Sequence, residues 1–183
     1  MPKSVLIWFH HKKTTMKNIF KMAVVALMLA ACGQKEKNVL EINATFTKEG
    51  PFMAESPETF QFELKTEIED FLKAKGLKAD QVSAVKIISA ELTTTDSAKF
   101  SSFGAATLSM MAGGDSKAKE IGVRNPIKDA GASVKMDVAQ DADMKEHFKT
   151  KDKFLTLDLT PLADREKGFE CKAKLTFEVE TKK

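Results

Sequence analysis

The sequence predicts a mainly β protein, an antiparallel β-sandwich of about eight strands with two short helices. Apolar and polar residues alternate with a period of two in one segment after another, and only two stretches have helical spacing. Alternation of this kind buries one face of a strand and leaves the other in water. Turns at Gly50-Pro51, Gly113-Gly114, Asn125-Pro126 and Gly131 separate the segments. Short strands broken by such turns favour an antiparallel sandwich over a parallel α/β sheet.

The strands are expected from residue 40 to the end of the chain. In the first, Leu40, Ile42, Ala44 and Phe46 alternate with polar residues, and in the last, over 169–179, the apolar residues share one face. Six further strands are predicted between them, over residues 60–64, 82–94, 105–111, 117–123, 132–139 and 153–159. These segments together make up the eight strands.

The first predicted helix begins after residue 64. Thr66 and Glu69 have the spacing of a capping box, in which each side chain accepts a hydrogen bond from the other residue's backbone. Ile68 and Leu72 lie on one apolar stripe. Gly76 is placed to end the helix, because glycine adopts the left-handed conformation that closes a helix C-terminus. The segment is expected to cap the sandwich or to cross between its strands.

A second short helix is predicted over residues 141–148, where Met144 and Phe148 stand four residues apart on one face. Asp143 lies at its start, where capping of the helix explains an aspartate. Asp137 and Asp141 lie nearby and offer oxygens of the kind that calcium binds. The segment lacks the loop length and the closing Glu of a calcium site, so no metal and no cofactor is predicted.

The first 31 residues have the composition of a secretory signal. They contain five lysines and no Asp or Glu, and they end in an apolar run over residues 22–31. A membrane-spanning helix needs about 20 apolar residues, so this run is too short to be one. We expect residues 1–31 to form a signal helix that is cleaved off. Met16 opens a complete basic segment of its own and is an alternative start.

The apolar run ends in Leu29-Ala30-Ala31-Cys32. This segment resembles the lipobox of bacterial lipoprotein precursors, in which an aliphatic and two small residues precede the cysteine that is modified. The resemblance implies that signal peptidase cuts before Cys32 and that Cys32 carries acyl chains such as palmitate. Each buried methylene contributes about 0.8 kcal/mol, so these chains anchor the protein to a membrane. Residues 32–38 are then a flexible tether, and 39–183 form a single domain.

Two further resemblances concern the cell envelope. Gly33 stands where the inner-membrane retention signal of enteric bacteria has Asp, which implies the outer membrane, on the periplasmic side or at the cell surface. Asp96-Ser97-Ala98 resembles the acceptor of O-glycosylation in envelope proteins of Bacteroidota-type bacteria, which implies a sugar on Ser97. The alternative at Ser97 is an unmodified turn.

Removal of the signal changes the charge of the protein. Five of the 29 basic residues and none of the 26 acidic ones precede Cys32, which leaves 24 basic against 26 acidic residues and a net charge of about −2. Arg124 and Arg165 are its only arginines. No basic surface for phosphates remains, so nucleic acid is excluded as a partner.

Catalytic groups are few from residue 32 onward. His147 is the only histidine, and no nucleophile elbow accompanies it. Cys171 is the only cysteine besides Cys32, and its apolar neighbours on the predicted strand indicate a buried thiol. An enzyme is therefore not expected.

One stretch, residues 100–111, is apolar without the usual alternation. It is either a buried central strand or an exposed apolar edge that binds a partner or a lipid. The favoured function is a non-catalytic lipoprotein that contacts an envelope protein, the alternative is a carrier of a hydrophobic ligand or lipid, and a hydrolase comes third. The candidate surface consists of Phe100, Phe103, Leu108, Met110 and Met111.

Overall fold

The structure, a computed structural model, describes residues 35–64, 66–96, 99–113, 118–128, 130–150 and 152–182. Over these residues the chain forms nine strands and two α-helices, so the predicted antiparallel sandwich with two short helices is confirmed. The predicted signal helix and Cys32 lie outside the described residues.

The strands are β1 (Lys35–Lys48), β2 (Glu58–Glu63), β3 (Val82–Thr93), β4 (Phe103–Ala112), β5 (Lys119–Arg124), β6 (Ser133–Lys135), β7 (Asp137–Val138), β8 (Lys153–Pro161) and β9 (Phe169–Lys182). The helices are α1 (Glu67–Ala74) and α2 (Lys145–Lys149).

Two antiparallel sheets make the two layers of the sandwich. The first has the strand order β1-β9-β3-β6, and the second has the order β2-β8-β4-β5-β7. Inward residues of β9 alternate with exposed ones along its whole length, as the period of two predicts. The core between the sheets contains eight fully buried phenylalanines, so aromatic packing supplies much of its volume.

β1 and β9 pair without a break over 14 residues, from Lys35 opposite Lys182 to Lys48 opposite Phe169. β1 thus takes in residues 35–38, which the sequence assigns to the tether. The two lysines at its start form ion pairs with glutamates of β9. Lys35 Nζ lies 3.0 Å from Glu180 Oε2, and Lys37 Nζ lies 2.9 Å from Glu178 Oε1. The hydrogen bond from Lys35 lowers the pKa of Glu180, and the one to Glu178 raises the pKa of Lys37.

The predicted strand over 132–139 divides into two strands that belong to different sheets. β6 pairs with β3, and β7 pairs with β5. Met136 stands between them and donates its backbone N–H to Ala90 O at 2.9 Å. One alternating run therefore passes from the first sheet to the second, which is why the described residues contain nine strands rather than about eight.

α1 ends as predicted but begins differently. Gly76 has φ of +65°, its N–H donates to Lys73 O, and the N–H of Leu77 donates to Leu72 O at 2.8 Å. These two bonds form the Schellman motif that ends a helix. The capping box is absent, because the side chain of Thr66 makes no capping hydrogen bond.

Asp143 joins α2 to the edge of β3. Its Oδ1 accepts hydrogen bonds from Val85 N and Lys145 N, both at 3.0 Å. Met144 N also donates to Val85 O at 2.8 Å. The segment before α2 therefore hydrogen-bonds to the part of β3 that β6 is too short to reach.

Candidate functional site

The residues that the sequence proposed as sites fall into two groups. Leu29, Ala30, Ala31, Cys32 and Ser97 lie outside the described residues. The stretch over 100–111 contains all of β4 except its last residue, and β4 lies between β8 and β5 in the second sheet. Of the five candidate surface residues in it, four have no exposed area and Met111 is half-buried. This placement favours a buried central strand, so an interaction surface has to be sought elsewhere.

Phe100 and Phe103 are occupied by aromatic neighbours. Both pack on Phe169 of β9, with ring centroids at 5.7 Å and 4.8 Å. Phe60 packs on the other side of Phe169 at 6.4 Å and contacts Phe52 at 6.0 Å. Tilted and edge-to-face pairs of this kind are the favoured geometry for rings in a core. Phe100 and Phe103, two of the candidate residues for a partner or ligand surface, thus contribute their rings to this aromatic cluster.

The loops at this end of the sandwich meet at Arg165. Its Nη2 lies 2.9 Å from Asp96 Oδ2 and donates to Gly168 O at 2.6 Å, and its Nε donates to Lys167 O at 2.7 Å. The guanidinium also lies 5.5 Å from the ring centroid of Phe169. Its planar fork suits several acceptors at once. Arg165 therefore fastens the loop before β9 to the loop after β3.

The 162–168 loop is joined to the 49–57 loop as well. Phe52 and Arg165 exchange two backbone hydrogen bonds, of 2.7 Å and 2.9 Å. Ala54 N donates to Asp164 Oδ1 at 2.8 Å, and Glu55 N donates to Pro161 O at 2.8 Å. Close approach is required here, because a Cβ on Gly50 would clash with Glu166 O. The two loops form one connected surface.

Met53 and Leu162 stand on these joined loops with 60% of their surface exposed. An open cavity of about 290 Å³ beside Leu162 is lined also by Phe103, one of the predicted candidate residues, and by Pro161 and Asp164. Exposed large apolar residues on a backbone held by hydrogen bonds are typical of protein contact sites. We call Met53, Leu162 and this cavity the distal surface, because it lies at the end of β1 away from Lys35.

Sequence reasoning missed the distal surface. Its one signal is that Met53 and Leu162 are apolar residues that lie one or two positions after a proline and outside any period-two segment. Arg165 gave no signal at all, since its partner Asp96 lies 69 residues earlier in the chain.

The other groups that could carry chemistry are dispersed or engaged. His147 is half-buried on α2, beside the start of β3, whereas Arg165 lies at the other end of that strand. Cys171 is buried. Among the residues that the structure describes, no three His, Cys, Asp or Glu side chains gather closely enough to hold a metal ion. In the same part of the chain, neither helix is long and apolar enough to cross a membrane.

Comparison with known proteins gives structural neighbours alone. No protein-family model and no curated protein matches the chain. A structure of Desmodium yellow mottle tymovirus is similar to it with 6% identity and a TM-score of 0.31, over 81% of this chain and 90% of that chain. A crystal structure of the decameric BFDV capsid protein is similar to it with 10% identity and a TM-score of 0.32, over 79% of this chain and 99% of that chain. Likenesses this weak carry no inference about function.

Proposed function

We propose that this chain is an outer-membrane lipoprotein that is anchored through Cys32 and contacts another envelope protein through the distal surface. The lipobox resemblance supports the anchor. The observation that carries the contact is the pair of exposed side chains, Met53 and Leu162, on loops that hydrogen bonds hold together.

The distance between anchor and contact supports this arrangement. β1 runs 14 residues from Lys35 to Lys48, which is about 45 Å of extended strand. Cys32 is three residues from Lys35, a reach of about 10 Å. A lipid anchor at Cys32 therefore leaves the distal surface accessible to a neighbouring protein. A carrier of a hydrophobic ligand is less well supported, because Phe100, Phe103 and Met110 have no exposed area.

The anchor is tested with the chain's two cysteines. The full chain is produced in a Gram-negative host that is fed an alkyne analogue of palmitate. We expect label on the wild type and on Cys171→Ala, and neither label nor membrane retention for Cys32→Ser. Label that persists in the Cys32 variant would overturn the anchor.

The contact is tested by a photo-reactive residue placed at 53 or at 162 in cells of the native host. Both positions should crosslink to the same second protein, and Leu162→Lys should abolish the adduct formed from position 53. A photo-reactive residue at Ile88, which is 45% exposed on the four-stranded sheet, is the matched control and should give no such adduct. Adducts of equal yield from all three positions would contradict the proposal.

A further inference from the structure

β1 is the edge of the first sheet and is paired along one side with β9. In the described part of the chain, the backbone hydrogen bonds of β1 all run to that side. β1 is 14 residues long and contains neither a proline nor a register shift. Folds usually protect an edge by shortening it, bulging it or placing proline or unpaired charge on it. The two lysines at its start, Lys35 and Lys37, are already paired with glutamates of β9.

The outward face of this edge has a self-complementary pattern. Val39 is 59% exposed, and its neighbours two residues away on the same face are Lys37 and Glu41. An antiparallel second copy of β1, with its Val39 opposite this Val39, brings Lys37 opposite Glu41 of the second copy. Twofold symmetry then makes the same pair again on the other side of Val39.

Neighbouring registers place like charges, or a charge and an apolar residue, opposite each other. A twofold axis at Glu41 sets two glutamates opposite each other, and one at Lys37 does the same with two lysines. A twofold axis at residue 38 sets Lys37 opposite Val39. An axis at residue 40 sets Glu41 opposite Val39, so in both registers a charged residue faces an apolar one. Opposite charges stabilise directly facing pairs and like charges destabilise them. The register centred on Val39 is thus the one in which both charges and the apolar residue find suitable partners.

We propose that β1 pairs with β1 of a second copy, antiparallel and centred on Val39, so that two four-stranded sheets become one sheet of eight. Each charge pair extends a row that exists within one copy. Lys37 contacts Glu178, and Glu41 lies 3.3 Å from Lys174. The row therefore runs Glu178, Lys37, then Glu41 and Lys174 of the second copy, with the sign of the charge alternating at every step.

This register is compatible with two lipid anchors on one membrane. Residue 35 lies opposite residue 43 of the second copy, so the two Lys35 positions are about 27 Å apart along the strands. Both tethers reach the same surface when β1 runs along it.

The register is tested by cysteine crosslinking of the full chain in membranes under mild oxidation. Val39→Cys should give a disulfide-linked species of twice the mass of the single chain. A thiol reductant should convert this species back to the single chain. Asn43→Cys is the matched control on the same face, because residue 43 lies opposite Lys35 of the second copy and the two cysteines would be about 27 Å apart, and it should stay monomeric. A monomeric V39C chain, equal crosslinking of N43C, or a V39C adduct with a different protein would overturn the proposal.

The charge pattern is tested in the V39C background. Lys37→Glu alone or Glu41→Lys alone should weaken crosslinking by about tenfold, since both symmetry-related pairs become like-charged. The double swap K37E/E41K should restore it, and so should an equal mixture of the two single variants. Thermal unfolding of each variant shows whether it is still folded, so that weaker crosslinking can be assigned to lost pairing and not to an unfolded domain. Failure of both the double swap and the mixture to restore crosslinking in folded protein would refute the register.

Discussion

Cys171 is a core residue of β9, and 1% of its surface is exposed. Burial raises the pKa of its thiol to about 12, with a smaller contribution from the charge of Glu170. The thiolate is the reactive form of cysteine, so this side chain is inert at neutral pH. At this position the chain uses cysteine as a small apolar residue, in line with its apolar neighbours on the strand.

The pKa of Cys171 predicts a loss of stability in alkali. The unfolded thiol ionises near pH 8.5, whereas the folded one keeps its proton to about pH 12. Its contribution is therefore fully present below about pH 8.5 and is lost as the pH rises from there toward 12. Between pH 8 and pH 10 the wild type should lose about 2 kcal/mol more than Cys171→Ala in urea unfolding. Equal losses in the two proteins would show that the thiol does not stay protonated.

At the scale of elements, the two edges of the first sheet differ in how far their backbone groups are hydrogen-bonded by other segments. β3 is longer than its neighbour β6, and the segment before α2 hydrogen-bonds to the exposed part of its edge. A side-chain oxygen of Asp143 accepts the Val85 N–H as a strand carbonyl would. Among the described residues, β1, the longer edge, has no such hydrogen-bonded backbone cover on its outer side, although β2 and α1 lie against it and Lys48 pairs with Glu58 of β2 at 2.7 Å. The segment before α2 therefore closes part of one edge of the first sheet, and the other edge is the one proposed to pair with a second copy.

Asp143→Ala should remove two acceptor contacts at once, at the β3 edge and at the start of α2. We expect a loss of about 1 to 2 kcal/mol in the free energy of unfolding at pH 7, measured by urea titration. Asp143→Asn keeps the acceptor oxygen and should lose less. Asp141→Ala changes an exposed aspartate of the same turn and should stay within about 0.5 kcal/mol of wild type. A similar loss at both positions would argue against the specific role of Asp143.

At the scale of the whole molecule, the two sheets are connected both by a strand segment and by a side chain. The β6–β7 segment passes from one sheet to the other. Arg165 lies on the connection from β8 to β9, which also changes sheets, and its ion pair reaches the loop after β3. This pair is largely shielded, with 16% and 21% of the two side chains exposed. The distal end of the sandwich is therefore closed by contacts between residues far apart in sequence.

Arg165→Ala should destabilise the molecule by about 2 to 3 kcal/mol, because it removes the ion pair with Asp96 and the hydrogen bonds to two backbone carbonyls. Arg165→Lys keeps the charge and should recover only part of the loss, since an ammonium cannot reproduce the planar fork. Urea unfolding followed by far-UV circular dichroism measures both. Full stability of the lysine variant would mean that charge alone matters at this position.

Local sequence was sufficient for the elements but not for their boundaries and partners. Period-two alternation located the strands, and Gly76 located the end of α1, because both signals arise from neighbouring residues. The sheet change at Met136 was hidden, since the alternation continues through it. The start of β1 was hidden because its lysines are neutralised by glutamates more than 140 residues later.

The distal surface was hidden for a related reason. Met53 and Leu162 are ordinary loop residues in sequence, and they form one surface only because Phe52 and Arg165 pair. The apolar stretch over 100–111 was the candidate surface instead. Its lack of alternation reflects a central strand whose half-buried outer face also carries apolar residues such as Ala105 and Met111. Exposure depends on which strands become neighbours, and a single local segment does not specify that.

The uninterrupted β1–β9 ladder has a mechanical consequence. A pull between the proposed lipid anchor before Lys35 and a protein held at Leu162 acts on the start of β1 and, through the loop after β8, on the start of β9, which lie at opposite ends of the ladder. The hydrogen bonds to β9 then bear the force together, in shear, and must fail almost simultaneously. A pull on Lys182 against the same anchor would instead open the ladder one pair at a time, because Lys35 and Lys182 face each other. The domain is therefore expected to resist tension between the proposed anchor and Leu162 far better than tension between Lys35 and Lys182.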